Sequence, residues 1–269
     1  MANSINTNAG ALVALQNLNN TSRDLSITQN RVNTGMKVSS AKDNGAIFAI
    51  ATNQRAEMGA LDAVKQSMQR GQSIVDVALA AGETITKALE EQKSLAVAIE
   101  SSVVGSAAET AYLADFNALG NEITKALGGA TFDGVNLFSA TTDAVSVKTG
   151  TASGDTFTLK AAAGAATAVA TAGGSILRAG ATAAAVDTAL KGFTAELGAL
   201  GTKSKSLERS LSFTSKMQDA LEVGVGNLVD ADLAKESARL TALQTKQQLG
   251  VQALSIANQS SSVLLGLFR

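Results

Sequence analysis

Residues 61–103 read LDAVKQSMQRGQSIVDVALAAGETITKALEEQKSLAVAIESSV. Within this stretch Leu61, Val64, Met68, Gly71, Val75, Ala78, Gly82, Ile85, Leu89, Gln92, Ala96, Ile99 and Val103 follow one another at alternating spacings of three and four, and only Gln92 is polar. An apolar repeat averaging about 3.5 residues is the seam of a coiled coil or of a long bundle helix. At the rise of an α-helix it predicts an element about 65 Å long. The small residues Gly71, Ala78 and Gly82 on this seam would let neighbouring helices approach or slide.

Working outward, a second seam runs through Val186, Leu190, Phe193, Leu197, Leu200, Ser204, Leu207, Leu211, Thr214, Gln218, Leu221, Val225 and Leu228. It alternates four and three without a slip. Tyr112, Phe116, Leu119, Ile123 and Ala126 give a shorter helix of the same spacing between the two. The expected fold is therefore mainly α: a long antiparallel helical bundle with a small β-hairpin region. Gly128-Gly129 ends the third helix, and residues 131–138 read as a turn with apolar anchors. Val145 and Val147, then Phe157 and Leu159, flank a Gly-, Ser- and Thr-rich run, which predicts a β-hairpin near 143–160. Residues 161–185, Ala- and Gly-rich with Arg178 as their one charge, read as a low-complexity connector.

Composition supports long helices and excludes several chemistries. The 269 residues contain no proline, cysteine, histidine or tryptophan. Proline would break a helix interior by removing a donor and clashing with the preceding turn. Without histidine and cysteine there is no Ser-His-Asp or Cys-His catalysis and no usual structural zinc site. Nothing gathers the remaining carboxylates and lysines into a site, so the chain reads as neither an enzyme nor a cofactor protein. Lys+Arg 22 against Asp+Glu 23 leaves a net charge of −1, without the basic excess a nucleic-acid surface needs.

Charge distribution is more informative than its sum. No charged side chain precedes Arg23, and none lies between Lys246 and Arg269. Both ends carry helical patterns: Leu18, Leu25 and Val32 recur every seven, preceded by Leu12 and Leu15, while Leu249, Ala253, Ile256, Ser260, Val263 and Leu267 alternate four and three. Leu254 and Leu264 sit on other faces. Asn, Gln and Ser are spread through both ends, so neither is a membrane span, and neither has the form of a cleaved secretory signal. A helix that is uncharged and apolar around more than one face needs cover on several sides. One chain of this size has no second layer for both ends, so cover must come from other copies or a partner. Amides can be packed there without the desolvation cost of an unpaired ion.

Two local patterns invite chemical readings. Ser39-Ser-Ala-Lys42 has the Ser-x-x-Lys spacing of some hydrolases but lacks their companion motifs, and reads as a turn or helix cap. Asp230, Asp232 and Glu236 form an acidic cluster without the glycine turn and ligand number of a metal loop. They read as helix N-terminal carboxylates, with Lys235 and Arg239 as available partners.

Taken together, these features resemble bacterial flagellin. Residues 29–45, from Gln29-Asn-Arg-Val through Ser39-Ser-Ala-Lys-Asp-Asn-Gly45, are similar to the family's N-terminal signature. Thr131-Phe-Asp-Gly-Val-Asn-Leu137 is similar to its T-x-F-N-G-x-x-L motif, with Asp133 where Asn is usual. Asn227 through Ser237 resembles I-x-D-A-D-x-A-x-E, and Ala257-Asn-Gln259 through Arg269 resembles the family's ending, with Ser260 to Ser262 replacing the usual Pro-Gln region. The length is that of short alphaproteobacterial flagellins. At Glu91 an acid replaces the first arginine of the stretch that an animal innate immune receptor reads in many flagellins.

The resemblance implies an extracellular helical filament for motility, built from subunits exported as unfolded chains. Residues 1–40 and 230–269 would form the inner assembly domain, and 41–229 the outer bundle with its hairpin. Implied partners are the chain itself, alone or with paralogous flagellins, and the export apparatus, an export chaperone, the filament cap and hook–filament junction proteins. No nucleic acid and no membrane insertion are expected. The assembly residues would be Leu12, Leu15, Leu18, Leu25, Val32, Leu249, Ala253, Ile256, Val263 and Leu267. The alternatives are a hook–filament junction protein or a coiled-coil adaptor.

Overall fold

The computed structural model describes residues 8–139, 144–160 and 176–266, with side chains as far as Gln259. Most of the Ala-rich connector, the start of the expected hairpin region at 143, and Leu267 lie outside the described residues, as does the side chain of Val263. Five helices account for most of the described chain: α1 (Ala9–Thr34), α2 (Gly45–Ser101), α3 (Ala107–Gly129), α4 (Ala183–Val229) and α5 (Leu233–Gly266). Four short strands, β1 (Thr131–Phe132), β2 (Val135–Asn136), β3 (Val145–Lys148) and β4 (Thr156–Leu159), lie between α3 and α4. The chain divides into two compact units, one of Met1–Ala56 with Ala220–Arg269 and one of Glu57–Asp219.

The second unit is the bundle. The α2 seam is buried from Leu61 through Val64, Met68, Val75, Ile85 and Leu89 to Ile99. In α4 the seam alternates in depth. Val186, Phe193, Leu200, Leu207 and Thr214 are buried, whereas Leu190, Leu197 and Leu211 are half-buried, as is Leu221 beyond the unit's end. That seven-residue recurrence is what a heptad seam imposes when one of its two positions points at the bundle axis and the other at its flank.

Cross-helix contacts fix the direction of packing. The Ala183 N–H donates to Glu100 Oε1 (2.9 Å), Lys93 Nζ pairs with Asp187 (2.5 Å), and Gln218 Nε2 donates to Met58 O and Asp62 Oδ1. These partners step up α4 as they step down α2, so the two helices are antiparallel. Gln92, the polar residue of the α2 seam, is fully buried and donates to Phe116 O of α3 at 3.0 Å. A buried amide needs such a partner, and here it ties α3 into the bundle.

Two seam glycines mark close approaches. A Cβ at Gly71 would lie 2.6 Å from Val147 Cγ2 of β3, and one at Gly82 would collide with the Leu197 side chain of α4. Space left by the missing side chains is what admits the β3–β4 hairpin and α4.

The strands form two antiparallel hairpins, β1–β2 and β3–β4. Residues 131–138, expected as a turn, are a hairpin closed by Asp133 (φ 50) and Gly134 (φ 75). Two successive positive φ values are those of a type I′ turn, whose twist matches antiparallel strands. Asn136 then donates to the carbonyls of Leu127 and Gly128 and accepts from Phe138 N–H. It thereby satisfies the last carbonyls of α3, which have no intrahelical donor. In β3–β4, Val147 and Leu159 are buried, and the Lys148 N–H donates to Ser67 Oγ of α2.

Two expectations are corrected. Val103, the last position of the α2 seam, is 78% exposed, because α2 ends at Ser101. The chain reverses through Gly105 (φ 81), and Ser106 caps α3 by accepting from the Glu109 N–H. Tyr112 is exposed, and the buried stripe of α3 passes through Glu109, Phe116, Gly120, Ile123 and Leu127. Glu109 holds this corner together. It accepts from the Gly105 N–H and pairs with Arg178 at 2.7 Å, while Arg178 also donates to Ser102 and to Glu100 O. The guanidinium, then the Gly105 N–H, hold the Glu109 carboxyl below its usual range. The one charge of the connector is thus the clamp of the α2–α3 turn.

Asp187 supplies a pH test of the bundle. Lys191, four residues on, and Lys93 both hydrogen-bond its carboxylate, lowering its pKa to about 2. A carboxyl more acidic folded than unfolded contributes stability that is complete above the usual carboxylate range and is lost as pH falls toward about 2. Urea unfolding of the Asp187→Asn protein should therefore show a shallower fall in stability between pH 5 and pH 2 than the parent. Equal slopes would mean that this pair adds nothing measurable.

Candidate assembly surface of the terminal helices

The first unit is built on α1 and α5, which pair antiparallel. Asn8 caps α1 by accepting from the Ala11 N–H, and its Nδ2 donates to Ala257 O of α5. At the other end α1 stops at Gly35, whose φ of 71 is the left-handed C-cap that glycine adopts without strain. There Met36 bridges Asp230, the Lys37 N–H donates to Val229 O, and the Ala231 N–H donates to Gly35 O. Between the ends, a Cβ at Gly250 would meet Leu18 at 3.3 Å, and Arg31 pairs with Glu236 at 3.2 Å.

The two chemical readings of local motifs resolve as structure. Asp43 Oδ2 accepts from both the N–H and the hydroxyl of Ser39 and of Ser40, all between 2.9 and 3.1 Å. The two backbone N–H groups do most to hold its carboxyl below the usual value. The Ser-x-x-Lys run is thus a turn organised by Asp43, and the helix cap is Asn44, which accepts from the Ile47 N–H. Asp232 caps α5 through the N–H groups of Ala234 and Lys235, whereas Glu236 is buried and pairs with Arg31 rather than with Lys235 or Arg239. Among the described residues no cluster of His, Cys, Asp or Glu could hold a metal ion, and no helix is long and apolar enough to cross a membrane.

Burial separates the faces of the terminal pair. On α1 the covered stripe is Ala11, Ala14, Leu18, Thr21, Leu25, Thr28 and Val32; on α5 it is Glu236, Leu240, Leu243, Gln247, Gly250, Leu254 and Ala257. Each alternates three and four, so the pair makes its own two-helix seam. Leu18, Leu25 and Val32 are therefore turned to the subunit's own partner helix. Leu12 (59% exposed), Leu15 (44%), Leu249 (58%) and Ile256 (67%) are not, and Ala253 is exposed with them. Val13, Ile27, Leu233 and Val251 were not singled out in the sequence, yet they are comparably exposed. Their signal was present as apolar residues off the heptad positions. Between the helices runs a groove of about 420 Å³ lined by Gly10, Val13, Ala14, Asn17, Leu249, Gly250, Ala253 and Ala257. It contains no charged group, and its small residues leave room for side chains from outside.

Long paired helices that leave large apolar side chains uncovered on the terminal pair are the build of a protein whose surface is completed by contact with others. Residues 5–143 match the bacterial flagellin N-terminal helical region, and residues 183–268 match the bacterial flagellin C-terminal helical region. The chain is 53% identical to flagellin FljM of Caulobacter vibrioides, each covered over 99% of its length. It is 38% identical to a flagellin of Brucella melitensis and 32% to flagellin C of Rhizobium meliloti, with 99% of this chain and of each relative covered. The chain belongs to the bacterial flagellin family. It is a structural subunit of the extracellular flagellar filament, which decides against the coiled-coil adaptor.

Proposed function

We propose that the terminal pair is the surface through which subunits polymerise. The inner assembly element comprises 1–40 and 230–269, and 41–229 forms the outer part. The observation that carries this reading is the row of large apolar side chains left uncovered on uncharged helix faces: Leu12, Leu15, Leu249 and Ile256, with Ala253 beside them. A helix face in contact with water normally carries Lys and Glu, which keep chains apart. This one carries Gln16, Asn19, Asn20, Gln248, Gln252 and Asn258 between its apolar residues. Such a face suits contact with a different side of the terminal pair of another copy, because amides can pair or hold water where an ion would be stranded. Leu18, Leu25 and Val32 serve the assembly indirectly by holding α1 on α5, and Val263 and Leu267 extend the same terminal segment.

The contact between copies is heterologous, the geometry that gives an open filament rather than a closed ring. Paralogous flagellins with the same faces can enter the same filament. Before assembly the subunit is delivered unfolded by the export apparatus with an export chaperone, and the chain's lack of cysteine leaves no disulfide to obstruct threading. The cap and the hook–filament junction meet the same terminal surface at the two ends of the filament.

Negative-stain electron microscopy of the purified subunit after seeding tests this, in parallel with a protein lacking residues 1–22 and 247–269. Filaments from the full chain and none from the trimmed one are expected. Filaments from both would place the polymerisation surface elsewhere.

A further inference from the structure

Away from the termini, the bundle carries two exposed surfaces that match each other. On one side α2 and α3 enclose a groove of about 520 Å³ lined by Glu91, Ser94, Leu95, Asp115, Ala118, Leu119 and Glu122. Its floor is apolar and its rim carries three carboxylates. On α4, Phe213 is 65% exposed, an unusual position for a phenylalanine, and Arg209 and Lys216 flank it, both exposed. Lys205 extends this basic stripe by one turn. Glu208 and Asp219 lie more than about 100° round the helix from Phe213, at 3.6 residues per turn. None of Glu91, Asp115, Glu122, Lys205, Arg209 or Lys216 takes part in an ion pair among the described residues.

The spacings coincide. Asp115, Leu119 and Glu122 on α3 stand at i, i+4 and i+7, and so do Arg209, Phe213 and Lys216 on α4. In each an apolar residue sits between two charges of one sign on a single helix face, and the signs are opposite. The directions agree as well. The short turn after α2 makes α3 antiparallel to it, and the cross-helix contacts make α4 antiparallel to it too, so α3 and α4 run parallel. A second copy related by rotation about, and translation along, an axis parallel to the helices presents its α4 parallel to this α3.

We propose that the groove between α2 and α3 receives the Phe213 face of a second copy of this chain. The ring lies on Leu95 and Leu119, Arg209 faces Asp115 and Lys216 faces Glu122. This rests on the reading of the chain as a polymerising subunit and adds a second, charged contact between the outer bundles. A groove and a complementary ridge on different sides of one molecule make a head-to-tail contact that repeats without closing. Opposed charges at its rim set its register and exclude wrong docking.

Charge reversal tests it. The groove variant Asp115→Lys with Glu122→Lys, and the ridge variant Arg209→Glu with Lys216→Glu, should each raise the critical concentration for polymerisation at low ionic strength by about tenfold or more. Carrying all four changes in one chain should bring it back to within about threefold of the parent, because the pairs are restored with signs exchanged. Circular dichroism must show each variant as helical as the parent, which keeps a failed fold from imitating a lost contact. Parental polymerisation by either two-site variant, or no recovery in the four-site variant, would overturn the proposal while leaving the terminal surface intact. If the unaltered chain forms no filaments when seeded, the polymer reading falls and this contact falls with it.

Discussion

The double variant Leu249→Asp with Ile256→Asp is expected to lose polymerisation altogether while its bundle stays folded. Both side chains are more than half exposed in the subunit and lie on the flank of α5, off the stripe that packs on α1, with Leu249 on the wall of the groove between the two helices. Neither takes part in the seam through Leu243, Gly250 and Leu254, so the packing that joins α5 to α1 is kept. Burying a large aliphatic side chain is worth about 1.5–3 kcal/mol, and two such losses amount to about a hundredfold or more in an equilibrium constant. The introduced carboxylates add the desolvation of ions, and on their own helix only that at 249 has a cation, Lys246, within one turn. Seeded polymerisation followed by light scattering, with far-ultraviolet circular dichroism as the control for folding, reads this directly. Filaments growing at the parental critical concentration would show that this face stays in water. The contrasting variant Leu25→Asp strikes the inner seam, where Leu25 is 9% exposed. It should loosen α1 from α5 before any second copy is involved.

Replacing Phe193 by alanine should produce the largest loss of stability in the bundle, about 3–5 kcal/mol, the range for removing a buried aromatic side chain. Its ring has no exposure and lies 5.5 Å, centroid to centroid, from the ring of Phe138, tilted by 42°. Phe138 is held in turn by its N–H, which donates to Asn136 Oδ1. The cavity would thus open between α4 and the segment that ends the β1–β2 hairpin, where neither side can collapse freely. Urea denaturation should show a lower midpoint, whereas Phe213→Ala on the exposed face of the same helix should leave it nearly unchanged. A midpoint for Phe193→Ala within error of the parent would mean that the bundle repacks around the void.

Both expectations depend on separating faces of helices, and that separation shows where sequence reading is strong. In α2 and α4 charged residues fill the positions between seam residues, so polarity contrast marks one face for burial. Leu61 through Ile99 and Val186 through Val225 could be read from spacing alone because a charge resists burial and a leucine does not. The Asp133-Gly134 dipeptide likewise carries its turn in its own chemistry, since few other residues adopt two successive positive φ values. Where α2 stops was not legible. Val103 continues the spacing, and only the capping of α3 by Ser106 and the clamp of Arg178 on Glu109 end the helix before it.

The terminal helices are the opposite case. Their sequence by itself determined that they are helical, uncharged at the ends and in need of cover, because apolar and amide residues recur on more than one face. For the same reason it could not say which face turns to the subunit's own partner helix: Leu249 and Ile256 satisfy a heptad spacing as well as Gly250, Leu254 and Ala257 do. The tertiary structure decided that point through contacts distant in the chain. Asn8 reaches Ala257, Leu18 packs on Gly250, Arg31 pairs with Glu236 and Met36 bridges Asp230. Such contacts set the rotation of α5 about its own axis, a quantity that local periodicity leaves free when every side of a helix is nearly equally apolar.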